Sequence, residues 1–116
     1  MKIIVCGGRD WRDGGAVDRV LTLLHARKTI TLLVHGACPT GADFLADQWA
    51  ERTGVERRPY PADWKRLGAI AGPLRNDMMA AAGADGCVAF PGGAGTADMV
   101  RKAEAKGIKV WKPYGV

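Results

Sequence analysis

Three glycine-bearing stretches hold the residues whose types and spacing could do chemistry. The fullest is Pro91-Gly92-Gly93-Ala94-Gly95-Thr96, between an apolar run at 86–90 and an amphipathic segment at 97–106. Glycines there let a backbone approach something bulky, because no Cβ stands in the way. A helix starting after them offers free N–H groups and a positive dipole end to an anion, for which phosphate is the usual occupant. No Lys follows the last glycine, so the Walker pattern is absent, and the spacing is not the dinucleotide fingerprint either. A phosphate or a polar sugar is the expected ligand chemistry.

The second stretch is Gly7-Gly8-Arg9-Asp10-Trp11. Gly7 and Gly8 would allow close approach of a ligand or form a plain turn. Arg9 could grip a phosphate with its planar fork or pair with Asp10 or Asp13. The third runs from His35-Gly36 to Gly41-Ala42-Asp43. His35 could carry a proton near neutral pH or be a packed histidine bonded to the backbone. Asp43 could meet a ribose hydroxyl, act as a base, or simply sit well in the first turn of a helix. Further along, Arg75 is expected in the first turn of a helix, where a cation is disfavoured. It would contact phosphate or form a structural salt bridge, and Asn76 would read a base or hold a loop. Trp11 and Trp64 fall in loops near the same edge. They would stack on a base, a contact worth ~1–3 kcal/mol, or pack beneath their loops.

The elements that position these residues follow from periodicity. Continuous apolar runs at 2–6, 31–35 and 87–90 read as strands covered on both faces. Residues 55–60, with three charged residues and prolines at 59 and 61, read as an edge strand, and 108–111 as the last strand. Helical spacing appears from Val17 to Arg27-Lys28. A second helix runs from Gly41 or Ala42 to Thr53-Gly54, with Phe44, Leu45 and Trp49 inward. A third has Pro73 in its first turn and stops at Gly83. The fourth is capped by Thr96 and stopped by Gly107, with Met99, Val100 and Ala103 inward and Arg101, Lys102 and Glu104 outward. Residues 61–72 are the least regular stretch. Trp49 and Trp111 read as core, Cys6 and Cys87 as small buried hydrophobes, His25 as surface, and Cys38 as the one candidate reactive thiol. Strands alternating with helices call for an α/β, Rossmann-like domain over residues 1–116, with a mainly parallel five-stranded sheet and helices on both faces. In that architecture ligands sit beyond the carboxyl ends of the strands, and all three glycine turns open there.

Composition narrows the function classes. The chain has 116 residues, 47% hydrophobic, enough for one core. No run of about 18 apolar residues exists, so no membrane partner is expected, and the N-terminus lacks a signal-peptide pattern. Three scattered cysteines with no Cys-x-x-Cys pair suit a reducing cytoplasm and argue against a metal site. The net charge of +5 suits an anionic ligand, nucleotide or nucleic acid, or serves solubility.

Taken together, four blocks resemble the SLOG superfamily, in its YspA (cpYpsA-related) branch. They are Gly7-Gly8-Arg9-Asp10-Trp11, His35-Gly36 through Asp43, Trp64 through Arg75-Asn76 to Met79, and Pro91-Gly92-Gly93 through Thr96. The resemblance implies a Rossmann-like sheet, a nucleotide pocket and self-association. It extends at greater distance to LOG-type phosphoribohydrolases, whose catalytic Arg matches Arg75 here. Their Glu stands three residues past the motif Thr, where this chain has Met99, with Asp98 one residue short. Arg75-Asn76 is also similar to a pair seen in DprA-like sequences. The expectation is a sensor or carrier that binds a nucleoside monophosphate, ADP-ribose or an NAD-related molecule, with no cofactor. One alternative is an N-glycosidic hydrolase using Arg75 with Asp43 or Asp98. The other is single-strand nucleic-acid binding.

Overall fold

A computed structural model describes residues 1–115. The first apolar run is β1 (Lys2–Cys6), followed by α1 (Gly14–Arg27), β2 (Leu32–His35), α2 (Gly41–Thr53) and β3 (Glu56–Pro59). After these come α3 (Trp64–Leu67), a 3-10 turn (Gly68–Ile70), α4 (Ala71–Ala82), β4 (Gly86–Ala89), α5 (Ala94–Ala105) and β5 (Lys109–Trp111). The five strands form one sheet in the order β3-β2-β1-β4-β5, every pair parallel. The fold is therefore α/β and Rossmann-like, as the alternating elements require.

Side-chain alternation along β1 divides the interior. Ile3 and Val5 point into a core with α1 and α2, built on Val17, Leu21, Leu33, Ala46, Trp49 and Phe90. Ile4 and Cys6 point to the opposite face, against α4 and α5, with Val34, Met79, Ala80, Met99 and Ala103. Each large aliphatic side chain buried this way contributes roughly 1.5–3 kcal/mol, so the central strand is held from both sides. Trp49 is buried and its Nε1 donates to Thr22 Oγ1 at 3.1 Å. Cys6 and Cys87 lie on adjacent strands, both free and buried, with sulfurs 3.8 Å apart. The charged strand β3 is at the sheet edge and fully exposed, as its composition requires.

Several expectations need correction. Phe44 is exposed, because the stripe that meets the sheet is Ala42, Ala46, Trp49 and Ala50, small residues that let α2 come close. Trp111 is exposed too, since β5 closes the other edge of the sheet. Residues 61–72 are more regular than their composition suggests. The Asp63 carboxylate accepts from the Arg66 amide at 3.2 Å and caps α3. The start of α4 lies at Ala71, ahead of Pro73, which as third residue has no N–H to leave unpaired. Arg75 therefore sits in the second turn of α4, and the first-turn placement fails. No helix among the described residues is long and apolar enough to cross a membrane.

Candidate functional site

The strand order turns back between β1 and β4, so the turns that leave them open a crevice at the carboxyl edge of the sheet. Its backbone is clasped across three turns. Gly8 N donates to Pro91 O at 2.9 Å, and Gly8 O accepts from Trp11 N and Ala42 N, each at 3.2 Å. The clasp leaves no room for side chains. A Cβ on Gly7 would stand 2.6 Å from Ala42 Cβ, and one on Gly92 would meet the Thr96 hydroxyl and stand 2.6 Å from Gly8 N. Gly41, with φ of +77°, is left-handed, and a Cβ there would strike the Gly8 carbonyl and Arg9. Gly93 and Gly95 differ, since a Cβ on either would meet nothing within 4 Å.

The start of α5 lies at Ala94, with Gly93 as its cap and no side-chain cap. The expected capping role of Thr96 is thus corrected: it is the third helical residue, and its hydroxyl is turned over Gly92. The first main-chain donor in use is Ala97 N, bonded to Gly93 O at 3.1 Å. The amides of Ala94, Gly95 and Thr96 have no partner among the described residues. The cleft they line encloses about 1400 Å³ between the β1 turn, the β2 turn, α3, α4 and α5. A smaller hollow of about 230 Å³ lies beside the β4 turn, bounded by α5 and Lys112.

The far wall is a polar chain anchored on α4. Arg75 Nη1 donates to Gly36 O and, at 3.4 Å, to Tyr60 O, while Nε donates to Asn76 Oδ1 at 2.9 Å. Asn76, 5% exposed, donates through Nδ2 to Asp98 Oδ2 at 3.0 Å and Gly95 O at 3.3 Å. Asp98 also accepts from Arg101 at 2.7 Å and from Lys102 at 3.0 Å. Burial raises the Asp98 pKa, but these hydrogen bonds and cations outweigh it, and the carboxyl titrates below its ordinary range. Lys102 does not point outward as expected. It also donates to Pro73 O at 2.8 Å and pairs with Asp77 at 3.1 Å, tying α5 to α4.

Asp43 is 8% exposed at the start of α2, and Oδ2 accepts from Cys38 N at 3.3 Å. Burial pushes its pKa up, only partly offset by the Cys38 amide and the nearby charge of Arg75. Burial likewise lowers the pKa of Arg75, against the Asp43 charge.

His35 and Gly41 lie outside the cleft walls. His35 is buried, its Nδ1 accepting from Ala37 N at 3.0 Å, which leaves Nε2 to donate to Asp47 Oδ1 at 2.8 Å. Both ring nitrogens are used in holding the β2 turn, where Ala37 adopts φ of +59°. The remaining predicted residues, Gly7, Gly8, Arg9, Gly36, Asp43, Trp64, Arg75, Asn76, Asp98, Pro91, Gly92, Gly93, Gly95 and Thr96, line one cleft. Trp11 lines it as well, but packs between Phe90 and Tyr114 at centroid distances of 5.9 and 5.8 Å. Its Nε1 is buried without a partner among the described residues. Arg9 lies over the Trp64 ring, 5.5 Å from its centroid. Among the described residues no three His, Cys, Asp or Glu side chains gather as metal ligands.

Sequence comparisons assign the chain to a family. The profile described as "YspA, cpYpsA-related SLOG family" matches residues 1–67, which include the first two glycine turns. The Gene 61 protein of Mycobacterium phage D29 is 39% identical over 117 residues, covering 94% of this chain and 93% of the relative. The chain belongs to the YspA, cpYpsA-related SLOG family. For this SLOG protein, sequence reading missed Asp47 behind His35 and the Lys102 tie. Its part within α5 had a local signal, because Asp98, Arg101 and Lys102 stand at the i, i+3 and i+4 spacing that brings helix side chains together, whereas its reach to Pro73 and Asp77 had none. The Asp47 contact crosses from a strand end to a helix and had none.

Proposed function

We propose that this SLOG protein binds a nucleotide or nucleotide-derived ligand, with phosphate at the start of α5. One observation carries the reading: three amides with no partner open α5 on a cleft wall where Gly93 and Gly95 leave space unfilled. Arg9 and Arg75 line the same cleft, and neither is ion-paired to a carboxylate among the described residues. An arginine without a carboxylate suits an incoming phosphate. Family membership is compatible with nucleotide chemistry. The protein acts as a sensor or carrier in the cytoplasm and self-associates. A thermal-shift screen over AMP, ADP-ribose, NAD and short oligonucleotides tests the reading. One small nucleotide should stabilise strongly. Salt-sensitive oligonucleotide binding with no small-ligand shift would contradict it.

A second reading, N-glycosidic hydrolysis, is favoured by Asp43 alone. It is a buried carboxylate with a raised pKa in the ligand cleft, the profile of a group that handles protons. Asp98 suits that work less, because its oxygens are already committed to Asn76, Arg101 and Lys102. Release of free base from AMP, abolished by both Asp43→Asn and Arg75→Ala, is the expected sign of this activity.

A further inference from the structure

Resting on the nucleotide reading above, we infer that Trp64 is the platform for the base of the bound nucleotide, and that Arg9 covers it until the ligand arrives. Trp64 is 46% exposed on the cleft wall, an unusual position for a large aromatic ring. It is nonetheless held in place. Its six-membered ring rests on Gly72, where a Cβ would stand only 2.8 Å from the ring, and α3 beneath it is capped by Asp63. Arg9 is the group over the ring. Arg9 is exposed, makes no ion pair with a carboxylate among the described residues, and stands on the β1 turn beside the clasp.

A guanidinium and a nucleobase are both planar and both stack on an indole. A base entering the cleft takes the ring surface that Arg9 occupies. The displaced guanidinium then has one strong partner close by, the phosphate at the start of α5. One movement uncovers the base site and adds a charge-assisted contact. The ligand class is an aromatic base carrying a phosphate on its sugar. A sugar phosphate alone would use Arg9 and the α5 amides but not Trp64.

Calorimetric titration with AMP, ribose 5-phosphate and adenosine tests this on wild type, Trp64→Ala, Trp64→Phe and Arg9→Ala. Wild type should prefer AMP to ribose 5-phosphate by about tenfold or more. Trp64→Ala should erase that preference, and Trp64→Phe should keep most of it, which separates stacking from a folding defect. Arg9→Ala should weaken ribose 5-phosphate yet bind adenosine at least as tightly as wild type, because its ring is uncovered. A preference for AMP that survives Trp64→Ala would overturn the platform. So would equal wild-type binding of AMP and ribose 5-phosphate, although phosphate binding would then stand. If wild type binds neither, the platform falls, while the nucleotide reading still stands or falls on ADP-ribose and NAD.

Discussion

Two sets of glycines share one edge of the sheet, and they are glycines for different reasons. Gly7, Gly41 and Gly92 belong to the clasp, where backbones of three turns touch and any Cβ would collide. A Cβ on Gly93 or Gly95 would touch nothing, and their missing side chains leave room that the protein itself does not use. The first set is required by the fold. In the second, Gly95 costs backbone entropy in the first turn of a helix without a packing return, and this points to a ligand as the reason.

The contrast can be broken by mutation. The largest effect belongs to the clasp. Gly41→Val would put a branched side chain into the Gly8 carbonyl at a left-handed position, and should cost about 3 kcal/mol or more, or prevent folding. Urea denaturation measures it, and a loss under about 1 kcal/mol would show that the turns are not locked. Next is Asp43, whose pKa is raised because burial favours its neutral form. A group with a raised folded pKa binds protons better folded than unfolded, so its charge subtracts stability as pH rises above about 4, the unfolded value. Asp43→Asn should therefore be more stable than wild type above about pH 4, and the gain should vanish toward pH 4. Ligand binding should fall in the same variant. An Asp43→Asn protein that is less stable at pH 7 would mean that the carboxylate holds the β2 turn. The smallest effect is at Gly95. Replacement by Ala should raise stability by ~0.5–1 kcal/mol through helix propensity while weakening nucleotide binding. Destabilisation instead would erase the difference between the two sets.

Much of the fold was legible, because strands buried on both faces leave continuous apolar runs, and Gly54, Gly83 and Gly107 mark helix ends. The cleft was legible for a related reason, since in a parallel sheet turns after β1, β2 and β4 must meet at one edge. What failed depended on packing between distant elements. Phe44 looked like core by size, but α2 approaches the sheet on alanines. Arg75 looked like a first-turn residue because Pro73 marked a start, yet the helix begins two residues earlier. Thr96 looked like a cap, but Gly93 takes that position. His35 left two readings open, proton carrier or packed histidine bonded to the backbone; the Ala37 amide bears out the second, and Asp47 on its other side could not be read from spacing.

The central claim is that the first amides of α5 receive the ligand's phosphate. Titrating AMP into isotopically labelled protein and following backbone amide resonances tests it directly. The resonances of Ala94, Gly95 and Thr96 should move most and together, with Gly8 and Gly36 following, while exposed residues of α1 such as Leu23 stay in place. Saturable binding that moves other residues and leaves those three amides unshifted would contradict the account.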